Sequence, residues 1–186
     1  MVAPVDVIDL PLAGLRLVTP RVFRDERGLF VETYRETSYR AAGIDVAFVQ
    51  DNHSRSQRGT LRGMHFQTAP GQAKLVRCAA GVIFDVAVDI RPGSPTYGQW
   101  HGVTLDAEQH HQLYVPVGFA HGFCVLSDTA DVTYKVSSIY DAATESGFHH
   151  ADPDVGIVWP VAEPLVSGRD QQAPRLRDLR LSGAPP

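Results

Sequence analysis

The sequence predicts an antiparallel all-β sandwich or barrel, and three observations carry that expectation. From Gly59 to Ser137 short apolar runs follow one another closely, separated by Gly, Pro, Asp or Ser. Within them the side chains alternate: Val82, Phe84, Val86, Val88 and Ile90 make one apolar face, and Asp85 and Asp89 fall on the other. Helical signal is sparse, with Glu36 to Ala42 the best candidate. Many short strands with almost no helix bury their apolar faces by packing sheet on sheet.

Taken in order, Leu15 to Thr19 reads as a first strand ended by Pro20. Phe23 to Gly28 reads as a charged turn and Leu29 to Tyr34 as a second strand. The two-turn helix at Glu36 to Ala42 is closed by Gly43, where a left-handed cap is common. Asp45 to Asn52 is extended and leads into a polar turn, Ser54 to Gly59. Strands are then expected at Gly59–Gln67, Ala73–Ala79, Val82–Ile90, Trp100–Leu105, Gln112–Val115, Gly118–Ser127 and Asp131–Ser137. After Tyr140 the pattern weakens, and the Pro- and Asp-rich stretch Ala151 to Arg180 is expected to form turns and short helices over the barrel. One domain over 1–186 is expected, with 141–186 as its peripheral segment, and there is no internal repeat or linker.

Length and composition fit that picture. A chain of 186 residues, 44% apolar and 20% charged, buries a substantial core. A net charge of −4 with scattered signs argues against a nucleic-acid or anionic-membrane surface, though not against a local basic pocket. Cys78 and Cys124 sit in apolar strands outside any metal or redox spacing and read as core residues. Met1 to Leu17 lacks a basic start with an apolar core, and no later run spans a membrane, so a soluble, cytoplasmic protein is expected.

The chemistry gathers in Gly59-Thr60-Leu61-Arg62-Gly63-Met64-His65-Phe66-Gln67 and in Gln72 to Val76, which adds Lys74 after the Pro70-Gly71 turn. Strict alternation sends Arg62 and His65 to opposite faces, so they share a pocket only where the strand is irregular. Gly63, between them, is the residue expected at a bulge. His65 suits a general base at neutral pH, its ordinary pKa being ~6.5. Its competing reading is a satisfied core histidine. Asp85, on the polar face of its strand, is open to pairing with either His65 or His121.

The RGMHFQ run, Gln50-Asp51-Asn52-His53-Ser54 upstream, and QAKLV, DVAVDIR, SPTYGQW, PVGFAHGF and Tyr134-Lys135 downstream resemble the dTDP-4-dehydrorhamnose 3,5-epimerase family, including its antibiotic-deoxysugar relatives. The resemblance runs in order from about Phe23 to Asp170. Pro116 to His121 also fits the second motif of the cupin jelly rolls, so the implied fold is a cupin-type jelly-roll barrel. Metal-binding cupins carry two histidines and a glutamate in their first motif. Here Gln67 and Lys74 stand in that region, an amide and an ammonium that undo a divalent site, and no metal or other cofactor is expected.

The resemblance implies roles residue by residue. His65 is the base, Asp170 the carboxylate that orients it, Lys74 a stabiliser of the enolate oxygen, and Tyr134 the acid that reprotonates the sugar. Arg27, Glu32, Gln50, Asn52, Arg62, His121, Glu145 and Arg169 bind the ligand, and Tyr140 stacks on the thymine. Arg169 stands where many members have lysine. The implied partner molecules are a dTDP-4-keto-6-deoxyhexose substrate and a second copy of the chain, in a homodimer that exchanges N-terminal strands, so that Leu15 to Tyr34 lends Arg27 or Glu32 to the neighbour. The implied activity is inversion of carbon 3, carbon 5 or both. The alternatives are a single-carbon epimerase, a ketoisomerase or dehydratase on the same scaffold, and a non-catalytic sugar-nucleotide binder.

Overall fold

Antiparallel pairing organises the chain, whose structure, a computed structural model, describes residues 5–180. The strands are β1 (Val5–Asp9), β2 (Arg16–Pro20), β3 (Val22–Asp25), β4 (Gly28–Val31), β5 (Gln50–Gln57), β6 (Thr60–Gln67) and β7 (Lys74–Ala80). They continue as β8 (Val82–Asp89), β9 (Trp100–Asp106), β10 (Gln112–Val115), β11 (Phe119–Val125), β12 (Thr129–Val136), β13 (Glu145–Gly147) and β14 (Leu165–Val166). Helix α1 covers Glu36–Ala41 and α2 covers Gly168–Gln171, and a 3-10 turn covers Leu176–Asp178.

The pairs β5 with β12, β6 with β11, β7 with β10 and β8 with β9 nest inside one another, which is the winding of a jelly roll. One sheet runs β1-β2-β10-β7-β12-β5 and the facing one β13-β6-β11-β8-β9, with β14 added in parallel to β6. At the one-residue connection between β7 and β8, Gly81 has a φ of +83°, and a Cβ there would lie 2.2 Å from the Thr129 carbonyl oxygen. Glycine alone fits that turn.

Three layers of apolar packing follow from the two sheets. Val76, Cys78, Ile83, Ala87, Leu113, Phe123 and Val132 fill the barrel interior between them. Outside the first sheet, Tyr39 of α1 and Ile44 pack on Val18, Leu75 and Tyr114. The Tyr39 hydroxyl donates to Gln112 Oε1 at 2.8 Å, and Gln112 Nε2 donates to the Thr33 carbonyl at 2.8 Å, so this covering layer also satisfies a buried amide. Outside the second sheet, Phe148, Val155 and Leu176 from the C-terminal segment cover Met64, Phe66, Val86, Val88 and Ile90. The apolar face of β8 thus points to this outer layer. Its carboxylate face, Asp85 and Asp89, points inward and is fully buried.

Several boundaries differ from the sequence expectation, among them the strand expected at Leu29 to Tyr34, which is β4 and ends at Val31. Val22–Asp25 is a strand of the β3–β4 hairpin, so the charged turn shrinks to Glu26-Arg27. Ser54 to Gln57 continues β5 because the strand needs no apolar alternation: its inward side chains, Gln50, Asn52, Ser54 and Ser56, are polar. The stretch Ala151 to Arg180 holds the expected turns and short helices but also β14, which with β13 before it extends the sheet along β6. Val5–Asp9 forms an additional strand against β2. Of the N-terminal stretch 1–17 and the peripheral segment 141–186, residues 1–4 and 181–186 lie outside the described residues. Among the described residues no helix is long and apolar enough to cross a membrane.

Phe148 is fully buried and joins the C-terminal segment to the barrel. Phe148→Ala is expected to lower the unfolding free energy by about 3–5 kcal/mol, lost transfer and cavity terms together. Urea titration checks this, and a loss under about 1 kcal/mol would mean the segment collapses onto the gap or contributes little to the core.

Candidate active site

The site grows from an irregularity in β6. Across β11, His121 faces His65 and Phe123 faces Arg62, so two steps on β11 oppose three on β6. The extra residue falls at Gly63, where φ is +137° and a Cβ would stand 2.6 Å from Gly122 Cα. Past this bulge Met64 and Phe66 point to the outer apolar layer. Arg62 and His65 both line a cleft of about 720 Å³ between the sheets, together with Lys74, His121, Tyr134, Glu145 and Arg169. The volume suits a ligand larger than a monosaccharide.

His65 is fixed from behind. Asp170 Oδ1 lies 2.8 Å from His65 Nε2, and Gly63 N–H reaches Asp170 Oδ2 at 3.4 Å. Burial alone raises the Asp170 carboxyl, but the His65 hydrogen bond and charge, the Gly63 N–H and Arg169 together bring it down to about 2. Arg169 Nη2 also stands 2.8 Å from the same ring nitrogen. One nitrogen cannot both donate to Asp170 and accept from Arg169. Asp170, an ionised carboxylate, is acceptor-only, so Nε2 carries the proton and donates. The guanidinium is held there by its bonds to Glu145 Oε2 at 2.7 Å and Asp170 Oδ1 at 3.2 Å. His65 therefore has its lone pair on Nδ1. Asp170 in turn is presented by α2, whose first turn is capped: its N–H donates to Ser167 Oγ at 3.1 Å.

The second carboxylate, left open by the sequence, goes to the other histidine: Asp85 Oδ1 lies 2.7 Å from His121 Nε2. Across the cleft, on the facing sheet, stand Lys74 of β7 and Tyr134 of β12. Lys74 is only 7% exposed, and burial lowers its amine to about 8 against the raising charges of Asp85 and Glu145. Burial also raises the Tyr134 phenol, with Arg62 lowering and Glu145 raising it, so the hydroxyl keeps its proton at neutral pH.

The remaining residues fall into two groups. Gln50 Nε2 donates to Asn52 Oδ1 at 2.8 Å, and with Tyr140 and Glu145 they line the continuation of the cleft past Lys74 and Gln67. Tyr140, half exposed at the mouth, donates its hydroxyl to Glu145 Oε2 at 3.0 Å. Arg27 and Glu32 do not line this cleft: Arg27 pairs with Asp25 at 2.6 Å on the exposed hairpin, and Glu32 pairs with Arg35. The sequence reading passed over Ser56, whose Oγ accepts from Arg62 Nε at 3.0 Å, and Thr144, whose hydroxyl donates to Gln67 Oε1. A polar residue at every second position of β5 is the signal that marks Ser56 as inward-facing. Among the described residues no three His, Cys, Asp or Glu side chains are grouped to hold a metal ion.

The profile of the dTDP-4-dehydrorhamnose 3,5-epimerase family matches residues 9–178. The chain belongs to that family. It is 50% identical over 166 residues to dTDP-4-dehydrorhamnose 3,5-epimerase of Neisseria gonorrhoeae, covering 89% of this chain and 51% of that longer relative. It superposes with a TM-score of 0.92 and 44% identity on dTDP-6-deoxy-D-glucose-3,5-epimerase from Legionella pneumophila in complex with dTDP-4-keto-L-rhamnose, covering 95% of each chain. A 3′-monoepimerase from Streptomyces bikiniensis in complex with dTDP-quinovose gives 0.86 and 42%, covering 90% of this chain and 86% of that one.

Because Asp170 is held near 2 in the folded chain and returns to an ordinary ~3.9 when unfolded, its contribution to stability is present above pH ~4 and lost as pH falls through ~2. Wild type is therefore expected to exceed Asp170→Asn in unfolding temperature above about pH 4, with the margin shrinking as pH falls from about 4 toward 2. Calorimetry across pH 2–7 measures this, and a margin that grows between pH 4 and 2 would contradict the assignment of Asp170 as an ionised acceptor.

Proposed function

We propose that the protein epimerises a dTDP-4-keto-6-deoxyhexose through an enolate, inverting carbon 3, carbon 5 or both, in the making of a deoxysugar of the rhamnose or antibiotic type. The observation that carries this is the pairing of a tautomer-fixed His65 on one sheet with a protonated Tyr134 on the facing sheet, across one cleft.

The 4-keto group acidifies the neighbouring C–H bonds. His65 Nδ1 takes the proton, and the C–H electron pair moves to the carbonyl oxygen as an enolate. The imidazolium that forms is held by Asp170 through Nε2–H. The Lys74 ammonium, out of water, balances the enolate charge. Tyr134 then donates its proton to the carbon from the opposite face, and the enolate pair returns to form the new C–H bond. The tyrosinate and imidazolium reset by proton exchange with solvent. Inversion follows from having the two groups on facing sheets. Arg62 and Arg169 supply cationic forks for the diphosphate, and His121, Gln50, Asn52 and Glu145 supply polar contacts. Tyr140 at the mouth offers a face to the thymine. Likeness to a monoepimerase keeps single-carbon inversion as the second reading.

We also infer one domain working as a cytoplasmic homodimer in which the β3–β4 hairpin reaches the neighbouring site. Its exposed Phe23, Leu29 and Phe30, and the absence of Arg27 from its own cleft, support this. Sedimentation is expected to give a dimer at micromolar concentration, with Arg27→Ala weakening substrate binding. A fully active monomer would end the idea.

NMR in heavy water with dTDP-4-keto-6-deoxyglucose tests the chemistry and reports which carbons invert. Folded His65→Asn is expected to lose proton exchange. Tyr134→Phe is expected to keep exchange with retention, returned by His65, while inversion falls by ~10²–10⁴. Parallel loss of exchange and inversion in Tyr134→Phe would remove Tyr134 as the donor. A 3-keto or unsaturated product would instead mean isomerase or dehydratase chemistry.

A further inference from the structure

Tyr140, Glu145, Arg169 and Asp170 form an unbroken line of hydrogen bonds from the mouth of the cleft to His65, and one carboxylate oxygen is its middle link. The Tyr140 hydroxyl donates to Glu145 Oε2 at 3.0 Å, and Arg169 Nη1 donates to the same oxygen at 2.7 Å. Arg169 Nε then donates at 3.2 Å to Asp170 Oδ1, the oxygen that also receives His65 Nε2–H. Among the described residues no hydrogen bond joins Tyr140 to Arg169 directly; they meet through Glu145.

The backbone holds the middle link in place. Pairing of β13 with β6 sets Glu145 opposite Gln67 and Gly147 opposite His65. A turn brings the chain from Tyr140 back to Glu145, whose N–H donates to the Asp141 carbonyl at 3.0 Å, while the Tyr140 N–H donates to Gln50 Oε1 at 2.9 Å. The outer links are freer. The Glu145 side chain is 20% exposed, against 60% for Arg169, and Tyr140 is half exposed. Exposed long side chains keep rotamer freedom until a contact pins them. A flat base stacked on the Tyr140 ring is such a pin, and the hydroxyl passes the restraint inward.

We propose that Glu145 is a positioning residue that links recognition of the nucleobase to the setting of His65: a base seated on Tyr140 fixes in turn the Tyr140 hydroxyl, Glu145 Oε2, the Arg169 guanidinium and Asp170. Binding energy from a part of the ligand that does not react is thereby used to orient the group that takes the proton. Arginine suits this place because its planar fork meets Glu145 and Asp170 with separate donors, where a lysine ammonium is a single point charge. The consequence for turnover rests on the enolate chemistry proposed above, whereas the coupling itself is measurable without any reaction.

Thymidine is the probe, since it carries the base without the diphosphate that Arg169 could bind directly. In isotope-labelled protein, saturating thymidine is expected to shift the NMR signals of Arg169 Nε–H and of the His65 ring nitrogens, the former assigned by its loss in Arg169→Lys. Tyr140→Phe keeps the ring face and loses only the hydroxyl, and Glu145→Ala removes the middle link. Both are expected to bind thymidine with the two signals unmoved. Shifts that persist in these variants, or that are absent from thymidine-bound wild type, overturn the proposal. Failure of wild type to bind thymidine removes Tyr140 as the base platform and the proposal with it. Where circular dichroism shows that Glu145→Ala disturbs the fold, Tyr140→Phe alone decides. With dTDP-4-keto-6-deoxyglucose, Tyr140→Phe is expected to lower kcat by about 10–100-fold with little change in KM. Arg169→Lys should then cost less in the Tyr140→Phe background than it does alone, as coupled residues do. A raised KM with kcat intact would mean that Tyr140 is a binding contact only and would end the proposal. Absence of turnover by wild type would instead count against the epimerase reading, with the thymidine result still deciding the coupling.

Discussion

The close approach of β6 and β11 at Gly63 and Gly122 is the constraint on which the site depends. With no Cβ on either glycine the two backbones meet at a separation that any side chain would forbid. The bulge there reverses the alternation of β6 once. Arg62 and His65 consequently share the cleft, while Met64 and Phe66 remain in the apolar layer beneath the C-terminal segment. A regular strand could keep that layer or gather the two polar side chains, but not both.

A jelly roll then supplies what a proton-transfer site needs with little further adaptation. Its two sheets present side chains toward one another across a gap of about 10 Å. A group on β6 and a group on β12 therefore address a molecule between them from opposite sides. Burial of the side chains that line this gap lowers the Lys74 amine and keeps the Tyr134 phenol protonated. Two histidines on neighbouring strands each have a carboxylate partner at Nε2, Asp170 for His65 and Asp85 for His121, and so carry defined tautomers.

Much of this was legible in the residues. Strand positions from β6 to β12 followed from alternation, since those strands bury apolar side chains on at least one face. Gly63 announced its bulge because a lone glycine between two functional residues in a strand has few other uses. Strand β5 runs further than its sequence pattern predicts because its inward face is polar: hydrophobic periodicity is silent where a strand lines a polar cleft rather than a core. The β3–β4 hairpin was missed for a related reason, its four-residue strands being largely exposed. The partner of His65 could not be read from the residues themselves, although the family resemblance implied Asp170. Asp85 and Asp170 are equally acidic side chains, and only the docking of α2 beside Gly63 decides between them. Ser167 caps that short helix, which is what fixes the direction of the carboxylate.

The two histidine–carboxylate pairs differ in how they are tied into the chain. His121 and Asp85 lie 36 residues apart on directly hydrogen-bonded strands, whereas His65 and Asp170 are separated by 105 residues and meet only because the C-terminal segment wraps the outside of the barrel. Loop closure over so long a separation is entropically the more demanding of the two. A wrapped segment is also the kind of unit that opens on its own, below the free energy of global unfolding. On the chemistry proposed above, loosening that segment disarms His65 while the strands from β5 to β12 remain paired. Activity is thus a more sensitive gauge of native order than any spectroscopic signal of the barrel, and inactivation on warming should precede loss of sheet structure.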